Sequence, residues 1–208
     1  NRPPITFGGV TSRALTDYDW AEEVNVNLDD ERNANIRSLW MPLQELISQW
    51  RNQDPDKDVW LAEFEHATRL FEQLSLDSRE ADQEVTNRAW TELAEYVEIL
   101  CRFGNEVDSD IFTFCREVML RSSDHIEPIY DPDRDSEFGY PPAWSPAPRT
   151  QAAQGILWLV HYHPDPELET AVLRLSRDNV PSIRFIIAHR LILLYQRSVE
   201  LFWTIAKE

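Results

Sequence analysis

An internal repeat in the C-terminal third of the chain constrains the fold more than any other feature. "PAPRTQAAQGILWLV" at 146–160 aligns with "PSIRFIIAHRLILLY" at 181–195 at an offset of 35 residues. Proline suits the first turn of a helix, alanine permits close helix approach, and paired aliphatic residues fill a core. The repeat therefore predicts two similar helical units. The alignment matches Pro146 with Pro181, Arg149 with Arg184, Ala153 with Ala188, and Ile156 and Leu157 with Leu191 and Ile192.

The segment before the second copy completes a helical unit. "PELETAVLRLSRDNVPSIR" predicts an amphipathic helix that ends at a short turn containing Asp178, followed by a second helix with Arg184 near its start. This arrangement resembles a HEAT repeat. The resemblance implies that an aspartate in the turn and an arginine early in the second helix link neighbouring repeats in a ladder. Asp178 and Arg184 match both positions, whereas the upstream copy matches only at Arg149.

Upstream of the repeat, apolar residues recur at the three- and four-residue spacing of amphipathic helices, and no segment alternates with the period of a strand. Residues 58–76 are expected to pack on 80–103, and 108–121 on 147–162. We therefore predict an all-α, right-handed α-solenoid of stacked antiparallel HEAT-like helix pairs with one long inserted loop. The predicted segments are an irregular lead-in at 1–16, divergent helical pairs at 17–121, an insertion loop at 122–146, and HEAT-like repeats at 147–208 that end within a further repeat.

Two predicted helices carry features that a simple surface helix lacks. Pro42 lies inside the helix predicted at 32–51 and is expected to kink it or split it. The helix at 181–195 is apolar on nearly every side, so it needs cover on two sides, as in the inner layer of a solenoid. The chain then opens another amphipathic helix, "VELFWTIAKE", without a partner helix. The parent protein is therefore expected to continue with further repeats beyond Glu208.

The chain carries a net charge of −17, and the imbalance lies before residue 151. Residues 1–150 contain 14 Lys/Arg and 31 Asp/Glu, whereas residues 151–208 contain six of each. Nucleic-acid affinity comes largely from cations that displace counterions, so the acidic part of the chain disfavours nucleic acid as a partner. It favours a protein partner, in particular a basic one. The longest apolar runs are too short to span a bilayer, so no membrane partner is expected.

Helical periodicity stops between residues 122 and 146, in a segment that holds five of the 13 prolines. Within it, "IYDPDRDSEFGYPPAW" at 129–144 places acids at alternate positions, as calcium loops do. An EF-hand loop would need glycine at its sixth position and glutamate at its twelfth, where this chain has Ser136 and Pro142. A looser calcium site stays open as an alternative, although we predict no metal and no cofactor. Its ligands would be Asp131, Asp133 and Asp135.

We interpret the insertion as an added recognition surface. Aromatic residues flanked by charge are typical of the side chains that anchor protein interfaces. The candidate partner-binding residues are Asp131, Asp133, Asp135, Glu137, Phe138, Tyr140 and Trp144.

No motif in the chain predicts catalysis. The sequence has no GxSxG motif, no glycine-rich phosphate loop and no motif centred on a nucleophilic cysteine. His161 and His163 stand two residues apart near Asp165, but two histidines without further ligands are weak grounds for a zinc site. Cys101 and Cys115 lie among apolar residues and are expected to be buried free thiols in a reducing compartment, which predicts a cytoplasmic location.

The sequence thus predicts a non-catalytic protein-interaction or scaffold segment of a larger intracellular protein. Two alternatives stay open. One is a regulatory or sensor helical segment of a large multidomain ATPase, whose catalytic residues would lie elsewhere. The other is a HEAT-like nucleic-acid-processing module, because some HEAT-like proteins are DNA glycosylases with a basic concave surface. The acidic charge disfavours this second alternative.

Overall fold

All regular secondary structure is helical in the residues that the computed structural model describes, which are 17–50, 56–76, 81–134 and 146–207. The prediction of an all-α chain is confirmed for these residues, and the lead-in at 1–16 lies outside them. The α-helices are α1 (Asp17–Glu23), α2 (Glu31–Trp50), α3 (Lys57–Ala62), α4 (Phe64–Leu76), α5 (Gln83–Phe103), α6 (Ser109–Ser123), α7 (Pro148–Tyr162), α8 (Pro166–Leu175), α9 (Pro181–His189) and α10 (Val199–Ala206). Short 3-10 helices lie at Gly104–Glu106, Pro132–Arg134 and Leu191–Leu194.

Aspartate and proline residues determine where several helices begin. Asp56, Asp108 and Asp165 cap α3, α6 and α8, since each side chain accepts hydrogen bonds from two backbone N–H groups of the first turn. Proline lies in the first turn of α7 and α9, where the helix needs no donor from it. Helix α7 begins at Pro148 and not at Pro146, so the two copies of the repeat enter their helices at slightly different positions.

The helices pack in chain order. Helix α2 packs on α5, α5 on α7, and α7 on α9, and these four helices form what we call the first row. Helices α4, α6 and α8 form a second row. Helix α4 packs on α2 and α5, α6 on α5 and α7, and α8 on α6, α7 and α9. Helix α5 lies at the centre, and most of its residues are buried.

Arginines near the C-terminal ends of two second-row helices contact the end of the preceding second-row helix. Arg121 of α6 donates a hydrogen bond to Ser75 Oγ of α4 at 2.5 Å. Arg174 of α8 donates to Ser123 Oγ of α6 at 2.6 Å and pairs with Asp124. The same contact therefore recurs one helix pair later. It places the C-terminal ends of α4, α6 and α8 along one edge, where the connection from α6 to α7 begins.

Three helix boundaries differ from those expected from the sequence. Helix α2 continues through Pro42 without splitting, because burial of its apolar face on both sides of the proline outweighs a local cost of about 3 kcal/mol. The helix expected at 58–76 is broken at Glu63 into α3 and α4. The helix expected at 181–195 ends at His189, and the 3-10 helix that follows places Leu194 in the core.

Helix α7 approaches its neighbours most closely at Gly155. A Cβ atom at this position would lie 2.3 Å from Met119 Sδ and 3.5 Å from Cys101 Sγ. Cys101 and Cys115 are both buried free thiols, as predicted. Burial raises the pKa of Cys101, and its contact with Cys115 raises it further. A buried, protonated thiol is a poor nucleophile, so this sulfur serves packing.

Candidate protein-interaction site

Arg149 lies in the first turn of α7 and holds the beginning of the connection that precedes this helix. Its Nη1 donates to the carbonyl oxygen of His125 at 3.1 Å, and its Nη2 donates to that of Pro128 at 2.7 Å. Its Nε lies 3.2 Å from Oδ2 of Asp178, in the turn between α8 and α9. The side chains of Arg149 and Asp178 are only 16% and 11% exposed. The guanidinium therefore joins the long connection to the short turn of the next helix pair.

Arg184 makes the corresponding backbone contacts in α9. Its Nη1 donates to the carbonyl oxygens of Asp178 at 2.5 Å and Asn179 at 3.0 Å. The carboxylate of Asp178 accepts a hydrogen bond from the N–H of Val180 at 2.9 Å. The structure thus brings Asp178, Arg184 and Arg149 together, but the carboxylate of Asp178 pairs with Arg149 and not with Arg184. In both copies, an arginine near the start of a helix donates hydrogen bonds to carbonyl groups of the connection that precedes this helix.

A second polar contact holds the connection to α5. Asn87 is buried and donates from Nδ2 to Glu127 Oε1 at 2.9 Å, while the N–H of Glu127 donates to Nδ1 of His125 at 3.1 Å. Burial raises the pKa of Glu127, the charge of Glu84 adds to this, and the hydrogen bond from Asn87 opposes it. Burial, assisted by the charge of Arg149, lowers the pKa of His125 to about 4. His125 is therefore neutral at pH 7 and can accept the backbone hydrogen bond.

Sequence reasoning missed Asn87, His125 and Glu127 as residues of this site. His125 and Glu127 lie in a non-helical segment, where no periodicity predicts which side chains turn inward. Asn87 gave one signal, since it is a polar residue three and seven positions before the buried Trp90 and Ala94, on the same face of α5. A polar residue on a buried face requires a partner, and Glu127 supplies it.

The anchored part of the connection exposes two large apolar side chains. Ile126 is 65% exposed and Ile129 is 66% exposed, and each is adjacent in sequence to a residue that Arg149 or Asn87 holds. Single exposed apolar residues are common, but two on one short, fixed segment form the beginning of a contact surface. We call Ile126 and Ile129, with the backbone between them, the connection surface.

The acidic part of the insertion is described only at its start. Asp131 is half-buried, and its Oδ1 accepts a hydrogen bond from the N–H of Asp133 at 3.0 Å, while Asp133 is exposed. Among the residues with described positions, no group of three or more His, Cys, Asp or Glu side chains is arranged to hold a metal ion. The remaining candidate residues lie outside the described part of the chain, and these are Asp135, Glu137, Phe138, Tyr140 and Trp144.

The two histidines near the end of α7 do not converge on one point. Nδ1 of His161 lies 3.0 Å from the carbonyl oxygen of Leu193. The ring of His163 packs edge-on against Phe112, with 4.6 Å between ring centroids. Both rings therefore have contacts of the kind that pack helix ends.

The far end of the first row exposes a larger apolar surface, which we call the end face. It is formed by α9, the 3-10 helix after it and α10. Helix α10 has no buried residue. In the first copy of the repeat Ala153 and Leu157 are fully buried, whereas the matching Ala188 is exposed and Ile192 is 68% exposed. The exposed large side chains of the end face are Phe185, Ile192, Tyr195, Val199 and Trp203.

Among the described helices, none combines the length and the apolar character that crossing a lipid bilayer requires.

Comparisons with other proteins give no relative for this chain. No protein-family model, no curated protein and no solved structure matches the sequence or the fold.

Proposed function

We propose that the chain is a segment of a HEAT-like α-solenoid in the cytoplasm that binds another protein and carries out no catalysis. A solenoid stacks helix pairs so that each pair contacts its neighbours and leaves an extended surface for recognition. The order of packing along the first row supports this arrangement. The arginine contacts that recur one helix pair apart support it as well, because they join consecutive units by the same chemistry.

The observation that carries the binding function is the connection surface. Ile126 and Ile129 are each about two-thirds exposed, on a backbone that Arg149 holds through two charged hydrogen bonds. A fixed apolar side chain loses little conformational entropy when a partner covers it, so such residues contribute strongly to affinity. A solvated loop without binding function would not require this anchoring.

The charge around the connection surface favours a basic partner. Asp131 and Asp133 follow Ile129 directly, and the whole of residues 1–150 has 17 more acidic than basic side chains. Complementary charge speeds encounter between proteins and excludes partners of the same sign. The partner is therefore a protein with an apolar contact region bordered by Lys and Arg.

A further helix pair of the parent protein packs on the end face. The residues of the second repeat copy that match buried residues of the first copy are exposed there, as Ala188 and Ile192 illustrate. The repeat predicts the same environment for both copies, and a neighbouring pair would supply it. Tyr195, Val199 and Trp203 would then become buried.

The binding function can be tested with two isoleucines of nearly equal exposure. The chain is used to capture a protein from an extract of its source cells, and the captured protein is purified and titrated by calorimetry against wild-type chain, Ile129→Asp and Ile192→Asp. Ile129 is 66% exposed on the connection surface and Ile192 is 68% exposed on the end face. We expect Ile129→Asp to weaken binding by about tenfold or more, as loss of an interface anchor does, and Ile192→Asp to leave it within about twofold.

Two outcomes would overturn the proposal. In one, no captured protein binds the wild-type chain once both are pure. In the other, Ile129→Asp binds as tightly as wild type while circular dichroism shows both variants to be folded.

A further inference from the structure

An open groove of about 900 Å³ lies between α2 and α3. One face of α2 packs into the core through Trp40 and Leu43, and the opposite face forms one wall of the groove. The wall residues from α2 are Ser38, Met41, Pro42, Glu45, Leu46 and Gln49, spaced three or four apart. The wall residues from α3 and its end are Asp58, Val59, Ala62 and Glu63.

The lining of the groove is mainly apolar, and the groove is open to solvent. Met41 is 44% exposed on one wall, and Val59 is 37% exposed on the other. Pro42 has no N–H, so the carbonyl oxygen of Ser38 lacks the helical hydrogen bond that residue 42 would otherwise donate. Ser38 and Pro42 both line the groove, so this carbonyl belongs to a lining residue.

The charged residues that the described part of the chain contributes to the groove are all acidic. Glu45, Asp58 and Glu63 line it, and none of its described lining residues is Lys or Arg. Glu45 accepts a hydrogen bond from the Gln49 amide at 3.3 Å, and Glu63 Oε2 lies 2.9 Å from Nδ1 of His66. Asp58 and Glu45 are exposed. Their negative charges are thus available to a ligand that brings cations.

The length of the groove indicates the shape of its ligand. From Ser38 to Gln49 the wall runs along α2 for about 17 Å, at a rise of about 1.5 Å per residue. This is the length of about three turns of a second helix. A groove with a mainly apolar lining and acidic side chains beside it suits an amphipathic helix that carries basic residues.

We propose that the groove binds an amphipathic helix of about three turns from a partner protein, with an apolar stripe bordered by Lys and Arg. The stripe covers Met41 and Val59, and the basic side chains pair with Glu45, Asp58 and Glu63 and donate to the carbonyl of Ser38. This inference rests on the proposed protein-binding function and assigns it a second surface, at the opposite end of the first row from the end face.

The test uses a phage-displayed library of 14-residue peptides with equal numbers of basic and acidic members, selected on the immobilised chain. We expect selection of peptides with apolar residues three and four apart and Lys or Arg beside them. The selected peptides are synthesised, and their affinities are measured by fluorescence anisotropy for Val59→Asp and for Val199→Asp, a similarly exposed valine on the end face. Val59→Asp should weaken binding by about tenfold or more, and Val199→Asp should change it by less than about twofold.

A second pair of variants separates local charge from the net charge of the chain. Glu45→Gln combined with Asp58→Asn should weaken binding by about three- to tenfold, because two rim charges are lost. Glu72→Gln combined with Glu117→Gln removes the same charge from exposed sites on α4 and α6 and should change binding by less than about twofold.

The groove inference is overturned if the selected peptides are acidic or lack the helical spacing, if they bind Val59→Asp as tightly as wild type, or if both charge pairs weaken binding equally. Competition of a second copy of the chain with the peptides would also overturn it, because the groove would then serve self-association. A captured partner that binds through Ile129 and is unaffected by Val59→Asp would leave the proposed function intact while the groove inference fails.

Discussion

Replacement of Arg149 by methionine is expected to lower the free energy of unfolding by about 3–4 kcal/mol. Methionine keeps most of the aliphatic stem and removes the three contacts of the guanidinium. Two of these are charged hydrogen bonds to the carbonyls of His125 and Pro128, each worth about 1.5–3 kcal/mol before water replaces part of it. The third is the pairing with Asp178. Removal of one partner from a buried ion pair costs about 3–5 kcal/mol, and the residual exposure of this pair places it at the lower end of that range.

Arg184 supplies the matched control, because it occupies the corresponding position in the repeat. It donates to two backbone carbonyls, but its side chain is exposed and it does not pair with the Asp178 carboxylate. Arg184→Met is therefore expected to cost only about 1 kcal/mol. The difference between the two variants measures the burial and the ion pair of Arg149, because the chemistry of the substitution is the same.

A double-mutant cycle isolates the ion pair itself. Asp178→Asn keeps an acceptor for the N–H of Val180 and removes the charge. At an effective dielectric constant of about 20, opposite charges at this separation attract by about 5 kcal/mol before desolvation is counted. Desolvation cancels most of this attraction, so a coupling energy of about 1–2 kcal/mol is expected between Arg149→Met and Asp178→Asn.

The assay is urea unfolding followed by far-UV circular dichroism and tryptophan fluorescence, with coincident transitions as the check for two-state behaviour. For a chain of this size each kcal/mol corresponds to about 2–4 °C in Tm, so Arg149→Met should melt about 10 °C lower and Arg184→Met about 3 °C lower. Equal losses for the two arginines, or a coupling energy near zero, would refute the account of Arg149 as the link between the two units.

Two further predictions concern His125 and Gly155. The pKa of His125 falls from 6.5 to about 4 on folding, so the stability that neutral His125 contributes is complete above pH 6.5 and is lost as the pH falls toward 4. His125→Asn keeps an acceptor for the N–H of Glu127. Between these pH values the free energy of unfolding of the variant should change by about 1–2 kcal/mol less than that of the wild type, after allowance for partial exposure of the ring. An unchanged pH dependence of the free energy of unfolding would contradict the assignment to His125. Gly155→Ala should destabilise by about 1–2 kcal/mol net, because the new methyl group meets buried Met119 and this overpacking exceeds the gain of about 1 kcal/mol in helix propensity. The penalty should disappear in a Met119→Ala background, and a more stable Gly155→Ala variant would show that Met119 moves aside freely.

The sequence predicts most of the helices because most of them bury one face, and burial imposes the three- and four-residue spacing. Helix α5 is an example, since Val85, Ala89, Leu93 and Leu100 are fully buried as their spacing indicates. The end of α9 could not be predicted in the same way. Residues 181–195 are apolar on nearly every side, and a continuous α-helix and a 3-10 turn both bury some of them. Without an amphipathic pattern, no local signal fixes the boundary at His189.

The candidate site was predicted only where the repeat reached it. The offset of 35 residues identified Arg149 as a counterpart of Arg184, but it could not reveal that Asp178 pairs across the two copies. Which arginine pairs with Asp178 depends on how the two repeat copies are placed relative to each other. An alignment of their sequences carries no information on that placement. The α2–α3 groove escaped prediction for a related reason, because its wall includes Ala62 and Glu63 at the break between α3 and α4, which the sequence did not predict.

The two connections of the repeat differ in length and in the contacts that hold them. In the short turn before α9 few residues must be ordered, and Arg184 donates hydrogen bonds to two of its carbonyl groups. The connection before α7 runs from Asp124 to Ala147, and the entropy of closing a loop grows only slowly with its length, so lengthening it costs the fold little. Arg149 and Asn87 hold the backbone at the start of the connection, which includes Ile126 and leads directly to Ile129. This anchoring fixes the backbone whose side chains a partner would meet, and a loop serving only to join α6 to α7 would not need it.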